Sequence, residues 1–368
     1  MPLSRRRTLA LIGGGTIFAA STSAATFLST RTPKDALSPW SAAGEYDDPR
    51  LNALSFALLA PNPHNLQPWS VALEGDDTVL LYQDTARRLP HTDPFDRQIT
   101  IGLGCFLEQM MLAAGAQGFN VDLELFPKEE QGAVARAVFG SGGAADPLFD
   151  YVMERRSCKE PFEPTPLKAA HANELELFAD VYTDETTVNA LKKLTWDAWA
   201  VEANTERTNQ ESVDLMRFGK AEINENPDGI DLGGPFLETL MLAGVLNRTV
   251  LSDPQSNGSK QGAQIYAEML NATPAYAALV SEGNERSDQI KVGRQWLRLN
   301  LKCTALGVAL HPVSQCLQEF PEMAGHYAHA HKILAPSGQT VQMLGRLGYG
   351  PTTPRTPRWP LEAKLMNV

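Results

Sequence analysis

Two apolar segments in different halves of the chain repeat one pattern. ITIGLGCFLEQMMLAAGAQGF (residues 99–119) and IKVGRQWLRLNLKCTALGVAL (residues 290–310) each read as a long, largely buried helix. Each helix ends at a glycine, Gly118 or Gly307, and runs on into an extended stretch. The echo points to an internal duplication at low sequence identity. Short strand-like runs lie apart from these helices, so the chain reads as α+β, with central sheets flanked by long helices. At 368 residues and 43% hydrophobic it can bury a large core, and its length suits about two domains.

Residues 30–44 read as a linker. Leu51, Leu54, Leu58 and Leu59 then recur at helical spacing, and Pro61 and Pro63 end that helix. WSVALEG (69–75), TVLLYQD (78–84) and FNVDLELFP (119–127) read as strands, with GAVARAVFG (132–140) as the hairpin partner of the third. The second half is mostly helical, with helices expected over 147–157, 172–182, 188–203 and 235–251 and strands at AYAALVSEG (275–283) and TVQMLGRLGYG (340–350). The expected organisation is a signal or anchor over 1–30, a linker over 31–44, a first half over 45–144, and a second half over 145–368 with an insertion near 200–260.

The N-terminus reads Ser4-Arg5-Arg6-Arg7-Thr8-Leu9, then a short stretch rich in Gly, Ala, Ser and Thr. That is signal-peptide organisation, and Ser-Arg-Arg-x-x-Leu is similar to a twin-arginine export signal. The expected partner is the twin-arginine machinery and the expected location periplasmic or exported, with the signal cleaved or kept as an anchor. That route carries folded proteins, often with a cofactor inside. With 43 acidic against 32 basic residues the net charge is −11, which argues against nucleic acid. Cys105, Cys158, Cys303 and Cys316 form no CxxC pair and read as buried thiols. His326 and His329 stand one helical turn apart but lack further ligands at metal spacing, so no metal is expected.

Four stretches carry chemistry. Ala57–Trp69 (ALLAPNPHNLQPW) breaks a helix with prolines, amides and a histidine before a strand. Glu154–Phe162 (ERRSCKEPF) places Arg155, Arg156, Ser157 and Lys159 together: forked donors, a hydroxyl and a point charge that could share one small anion. The Pro-rich C-terminal tail carries Arg355 and Arg358. Gly307–Gln315 (GVALHPVSQ) follows a long helix, and free backbone N–H groups there could serve a ligand atom that gains negative charge.

Together these stretches resemble the nitroreductase-type flavoprotein family. The family's Ala-Pro-Ser-x-x-Asn-x-Gln-Pro-Trp motif is matched by Ala60–Trp69, and its Arg-Arg-Ser-x-Arg/Lys motif by Arg155, Arg156, Ser157 and Lys159. Its loop near the flavin ring is matched by Pro312-Val313-Ser314-Gln315, and its C-terminal Arg-x-Pro-Leu-Glu by Arg358–Glu362. The order is unusual, because the Pro/Asn loop precedes the Arg-Arg-Ser motif. That order is similar to the duplicated single-chain, Acg-type branch, in which two degenerate units form a pseudo-dimer within one chain, an arrangement that would allow a monomer and leaves the oligomeric state open. The resemblance runs from about residue 45 to the end and is weak over 195–275.

The resemblance implies FMN. The first half would supply Pro61, Asn62, His64, Asn65 and Gln67. The second would supply Arg155, Arg156, Ser157, Lys159, Pro312, Ser314, Gln315, Arg355 and Arg358. Cations suit the phosphate, amides suit the ribityl hydroxyls or the ring edge, and prolines make a rigid apolar wall. The mirror site lacks its parts, so one FMN per chain is expected. Asn62 and Pro63 replace the usual small serines, Lys159 stands one residue further from its Phe than usual, and the 200–260 insertion reads as a lid. The implied activity is hydride or two-electron transfer at flavin N5 between an uncertain donor and a small acceptor. The alternative is a protein that sequesters or stores FMN under a covered ring. A weaker one is a lipid- or partner-binding helical module without a cofactor.

Overall fold

The computed structural model describes residues 30–130 and 132–366. The signal expected over residues 1–30 therefore lies almost wholly outside the described residues.

Helix α1 (Pro49–Ala57) starts where Asp48 accepts from the Arg50 amide. Strands β1 (Trp69–Glu74) and β2 (Thr78–Gln83) form a hairpin, followed by α2 (Arg97–Ala116). Two first-turn amides of α2, those of Gln98 and Ile99, donate to the Asp93 carboxylate. Then come β3 (Phe119–Leu125), the short β4 (Pro127–Glu130) and β5 (Ala135–Ser141). The first sheet is antiparallel in the order β1-β2-β5-β3.

The second unit opens with β6 (Asp180–Tyr182) and then inserts α3 (Glu185–Asn204), α4 (Glu206–Asp214), a parallel pair β7 (Met216–Phe218) and β8 (Ile230–Leu232), and α5 (Asn257–Asn271). It continues with β9 (Ala275–Ser281), α6 (Arg286–Ala305), β10 (Ala309–Pro312), α7 (Ala324–Leu334) and β11 (Thr340–Gly348). Its sheet, in the order β10-β11-β9-β6, is also antiparallel. Read along the chain, both sheets run strand, strand, long helix, strand, strand, with the second and fourth strands central.

Helices α2 and α6 each have 20 residues, begin at an arginine and end at an alanine. A constant offset of 189 residues relates their starts (97 and 286), their closest glycines (104 and 293) and the left-handed glycines that end them (118 and 307). The two helices cross at Gly104 and Gly293. A Cβ on Gly104 would lie 2.2 Å from the Ile290 carbonyl oxygen, and one on Gly293 would lie 2.0 Å from that of Ile101. The contact is reciprocal, as in an isologous dimer interface.

Strand β9 shows why part of the sequence reads as continuously apolar. Ala275, Ala277 and Leu279 face the core shared with α2 and α6, while Tyr276 and Ala278 face a second core under α3 and α7. A sheet covered on both faces loses its alternation.

Several expectations are corrected. The linker over 31–44 is folded into two short helices, Lys34–Leu37 and Pro39–Ala42, with Trp40 buried. The helix expected over 147–157 is only a 3-10 turn, Pro147–Tyr151, because Arg155 is drawn away to the turn after α1. The segment 172–182 ends as strand β6, which pairs with β9. The helix expected over 235–251 is split into Pro235–Leu242 and Arg248–Ser252 around Gly244, whose φ of 70° no helix continues. The extended stretch expected after Gly307 is strand β10, which pairs with β11.

Candidate functional site

A cavity of about 550 Å³ lies between the two units, within the roughly 300–1,000 Å³ usual for small-molecule sites. One wall is the loop that follows α1. His64, Asn65 and Gln67, interrupted by a right-handed Leu66, have φ of 48°, 55° and 52°, the left-handed region that Asn and His enter more readily than most residues. Asn62 stabilises the loop by accepting from the Gln67 amide at 2.8 Å and donating to Ala60 O at 3.1 Å. The prolines limit the alternatives of the unfolded loop. Burial, and then Lys159, push the His64 imidazole down to about 4, so it is neutral at pH 7.

The second feature is a group of guanidiniums. Arg155 donates to Leu59 O at 2.9 Å, and Arg358 donates to Leu59 O at 3.2 Å and Ala60 O at 3.3 Å. They satisfy carbonyls in the turn that follows α1. Arg358 also bonds Asn65 Oδ1. Arg156, Arg355 and Arg358 stand over the Trp40 ring at 4.8, 5.2 and 6.0 Å. Burial followed by repulsion from Arg156 lowers Arg155 to about 10. Burial followed by repulsion from Arg155 lowers Arg358 to about 9. None of Arg155, Arg156 and Arg358 makes a carboxylate salt bridge among the described residues, and the buried Nε of each has no partner there.

The third wall comes from β10 and the turn after it. Arg346 of β11 is fully buried and donates to Cys158 O at 2.9 Å and Glu160 O at 2.7 Å. It thereby fixes the loop that carries Ser157 and Lys159. Its Nε donates to His311 Nδ1 at 3.0 Å. Burial and the neighbouring Arg346 and Lys159 keep His311 neutral, so its proton sits on Nε2, as a donor on the cavity wall. The Ser314 hydroxyl is used within the fold: it accepts from Leu344 N and donates to Leu344 O. Asp231 of β8 also faces the cavity. It is exposed to the open cavity; the protein around it raises its carboxyl, while Lys159 and Arg358 pull it down.

Most of the residues singled out in the sequence converge here. Pro61, Asn62, His64 and Asn65 line the cavity from one side, and Arg155, Arg156, Ser157 and Lys159 from another. Pro312, Ser314, Gln315 and Arg358 complete it. Gln67 and Arg355 do not line it. Gln67 is fully buried: its Nε2 donates to Pro227 O at 2.7 Å and its Oε1 accepts from Trp359 N at 2.9 Å. Its amide therefore locks the inserted segment and the C-terminal tail to the loop. Arg355 is exposed beside Trp40. Sequence reading missed Trp40, His311, Arg346 and Asp231, along with Trp199, Glu202, Tyr266 and Gln318 on the cavity's other wall. His311 sat inside a stretch already marked as informative. The rest carried no local signal.

No family model matches the chain. The inferred NAD(P)H nitroreductase acg of Mycobacterium tuberculosis is 38% identical over 76 residues, 21% of this chain and 23% of that protein. The chain thus matches less than a quarter of that curated relative's length. The inferred NAD(P)H nitroreductase PigM of a Serratia species is 24% identical over 307 residues, 73% of this chain and 80% of that one. Among solved structures, the FMN-dependent nitroreductase NfnB of Mycobacterium smegmatis, in complex with NADPH, aligns over 60% of this chain and 98% of its own. It does so at 15% identity and a TM-score of 0.39.

Proposed function

We propose that this chain is an FMN-dependent oxidoreductase of nitroreductase type, built as a duplicated single-chain pseudo-dimer. The observation that carries the reading is the guanidinium cluster. Arg155, Arg156 and Arg358 hold like charges together at partly and fully buried positions, each with a buried Nε that has no partner among the described residues. An anion is the natural complement, since charge-assisted forks to phosphate are among the strongest hydrogen bonds proteins make. The names of the matched relatives support the same reading.

The fit extends beyond the phosphate. Asn62 and Asn65 offer amides for ribityl hydroxyls, and Pro61 and Pro63 a stiff apolar wall. The backbone amides of Ser314 and Gln315, at the start of the 3-10 turn Gln315–Leu317, can donate to the ring edge. The Ser314 hydroxyl is engaged with Leu344, so any contact there is by the main chain. Bound FMN would supply two-electron, hydride-type chemistry at N5. The chain's own part is to hold the phosphate, shape the ring pocket and exclude water.

We assign one FMN per chain and read the inserted segment between β6 and β9 as its lid. We also infer export by the twin-arginine route, which would place the site away from cytoplasmic NAD(P)H.

A second reading, FMN storage, is favoured by one observation. Asp228 in the insertion is held by Arg87, by Arg217 at 2.6 Å and by Trp359 Nε1 at 2.9 Å, which clasps the lid over the cavity. Absorbance separates the readings. Protein incubated with FMN and freed of excess should show bands near roughly 370 and 450 nm. No bands would overturn both. Anaerobic bleaching by NADPH, or by another small reductant, is the result for an oxidoreductase. Bands that yield only to dithionite favour storage.

A further inference from the structure

The insertion adds a second kind of surface to the cavity, one with no counterpart in the first unit. Trp199 and Glu202 of α3 and Tyr266 of α5 all line it. The Trp199 and Tyr266 rings stack with centroids 4.6 Å and planes 17° apart, and Trp196 extends the stack at 5.2 Å. Acceptors stand beside this flat wall. Glu202 Oε2 accepts from Gln318 Nε2 at 2.9 Å, which fixes the orientation of that amide. The Gln318 side chain is 4% exposed, and its Oε1 has no partner among the described residues. The buried Oε1 of Gln315, also on the cavity wall, has none either. Glu211 places like charge beside the Glu202 carboxyl, and the Arg346 guanidinium acts on the neighbouring Tyr266 hydroxyl.

A buried acceptor without a donor is destabilising, and the natural remedy is a ligand that brings N–H or O–H groups. Trp199 lies between Trp196 and Tyr266 in the stack, so the ring face left for a ligand is the outer one of Tyr266, and it favours a planar shape. We propose that Trp199, Tyr266, Glu202, Gln315 and Gln318 form the subsite for the small-molecule substrate, and that it selects planar aromatic compounds bearing at least two hydrogen-bond donors, of the phenol or aniline type. Calling this ligand the substrate rests on the flavoprotein reading. Its binding does not.

Isothermal titration of the full chain, incubated with FMN, with resorcinol and with 1,3-dimethoxybenzene tests the subsite. The second probe keeps the ring and oxygens but lacks the donors. Resorcinol should bind at least roughly tenfold tighter, as two lost hydrogen bonds predict. Gln318→Leu should cut that preference several-fold, and Trp199→Ala should weaken both probes. Equal binding of the two probes, no binding of either, or a preference unchanged in Gln318→Leu would overturn the inference. If that variant does not fold, the wild-type comparison decides alone. Flavin absorbance of the same sample separates the two readings. Flavin bands without the preference sink the subsite only. The preference without flavin bands sinks the cofactor and keeps the subsite.

Discussion

Arg156 and Arg358 share one electrostatic neighbourhood but not one structural role. Among the described residues, Arg156 hydrogen-bonds only carbonyls of its own turn, those of Met153 and Arg155. Arg358 satisfies Leu59 O and Ala60 O in the turn after α1. Arg156→Ala should therefore lower FMN affinity about 10-fold, the usual worth of one charge-assisted hydrogen bond, with little change in melting temperature. Arg358→Ala should lower both, because it leaves buried carbonyls unsatisfied. Fluorescence titration with FMN and thermal melts would check the pair. Glu202 predicts a pH effect. Burial lifts its carboxyl from 4.5 to about 7, so the folded state binds more protons than the unfolded state in between. Its contribution is present in full below pH 4.5 and lost as pH rises to about 7. Glu202→Gln should flatten that slope and gain up to about 3 kcal/mol on wild type above pH 7. Denaturant midpoints from pH 4.5 to 8 would measure it, and parallel curves for the two proteins would refute it. His64, pushed down to about 4, works in the opposite direction, so the comparison must be between variants.

The crossing of α2 and α6 is the element on which the two units meet, and it leaves no room for a side chain. A methyl on Gly104 would sit 2.2 Å from a backbone oxygen and 2.9 Å from the Gly293 Cα, where no flexible atom can yield. Gly104→Ala should cost at least about 3 kcal/mol by forcing the helices apart. Gly118→Ala, at φ of 83° with open space around it, should cost only about 1 kcal/mol of backbone strain. Chemical denaturation would rank the two, and equal costs would contradict the close crossing. This element was legible in the sequence as a repeated helix ending in glycine. The offset of 189 residues, with its pairing of Gly104 and Gly293, was not, because the side chains between those glycines have diverged.

Across the whole molecule, the C-terminal tail ties the units together. Its backbone pairs with Val71 beside β1, Lys364 Nζ donates to Gln67 O at 2.8 Å, and Trp359 meets Asp228 of the insertion. Asp228→Ala would take the carboxylate from Arg217 and leave Arg87 with Asp84, and leaving a part-buried charge unpaired is costly. The variant should open the insertion locally rather than unfold the chain. Limited proteolysis and hydrogen exchange over residues 216–232 should show faster cleavage and exchange there, with both four-stranded sheets still protected.

Local chemistry made some parts readable. Proline and asparagine spacing marked the loop after α1, clustered arginines marked one wall of the cavity, and apolar periodicity marked α2 and α6, because each of those signals lies within a few residues of its physical cause. Tertiary structure decided the rest. It alone placed Arg155 and Arg358, far apart in the chain, on the same carbonyl, that of Leu59 in the turn after α1. It turned an expected linker into the Trp40 platform, and it took Gln67 out of the cavity and made it the clasp between loop, insertion and tail. It also raised a glutamate in an unremarkable helix to a buried carboxyl with a shifted proton affinity. Burial and charge proximity belong to contacts between distant segments, and no local pattern of residues encodes them.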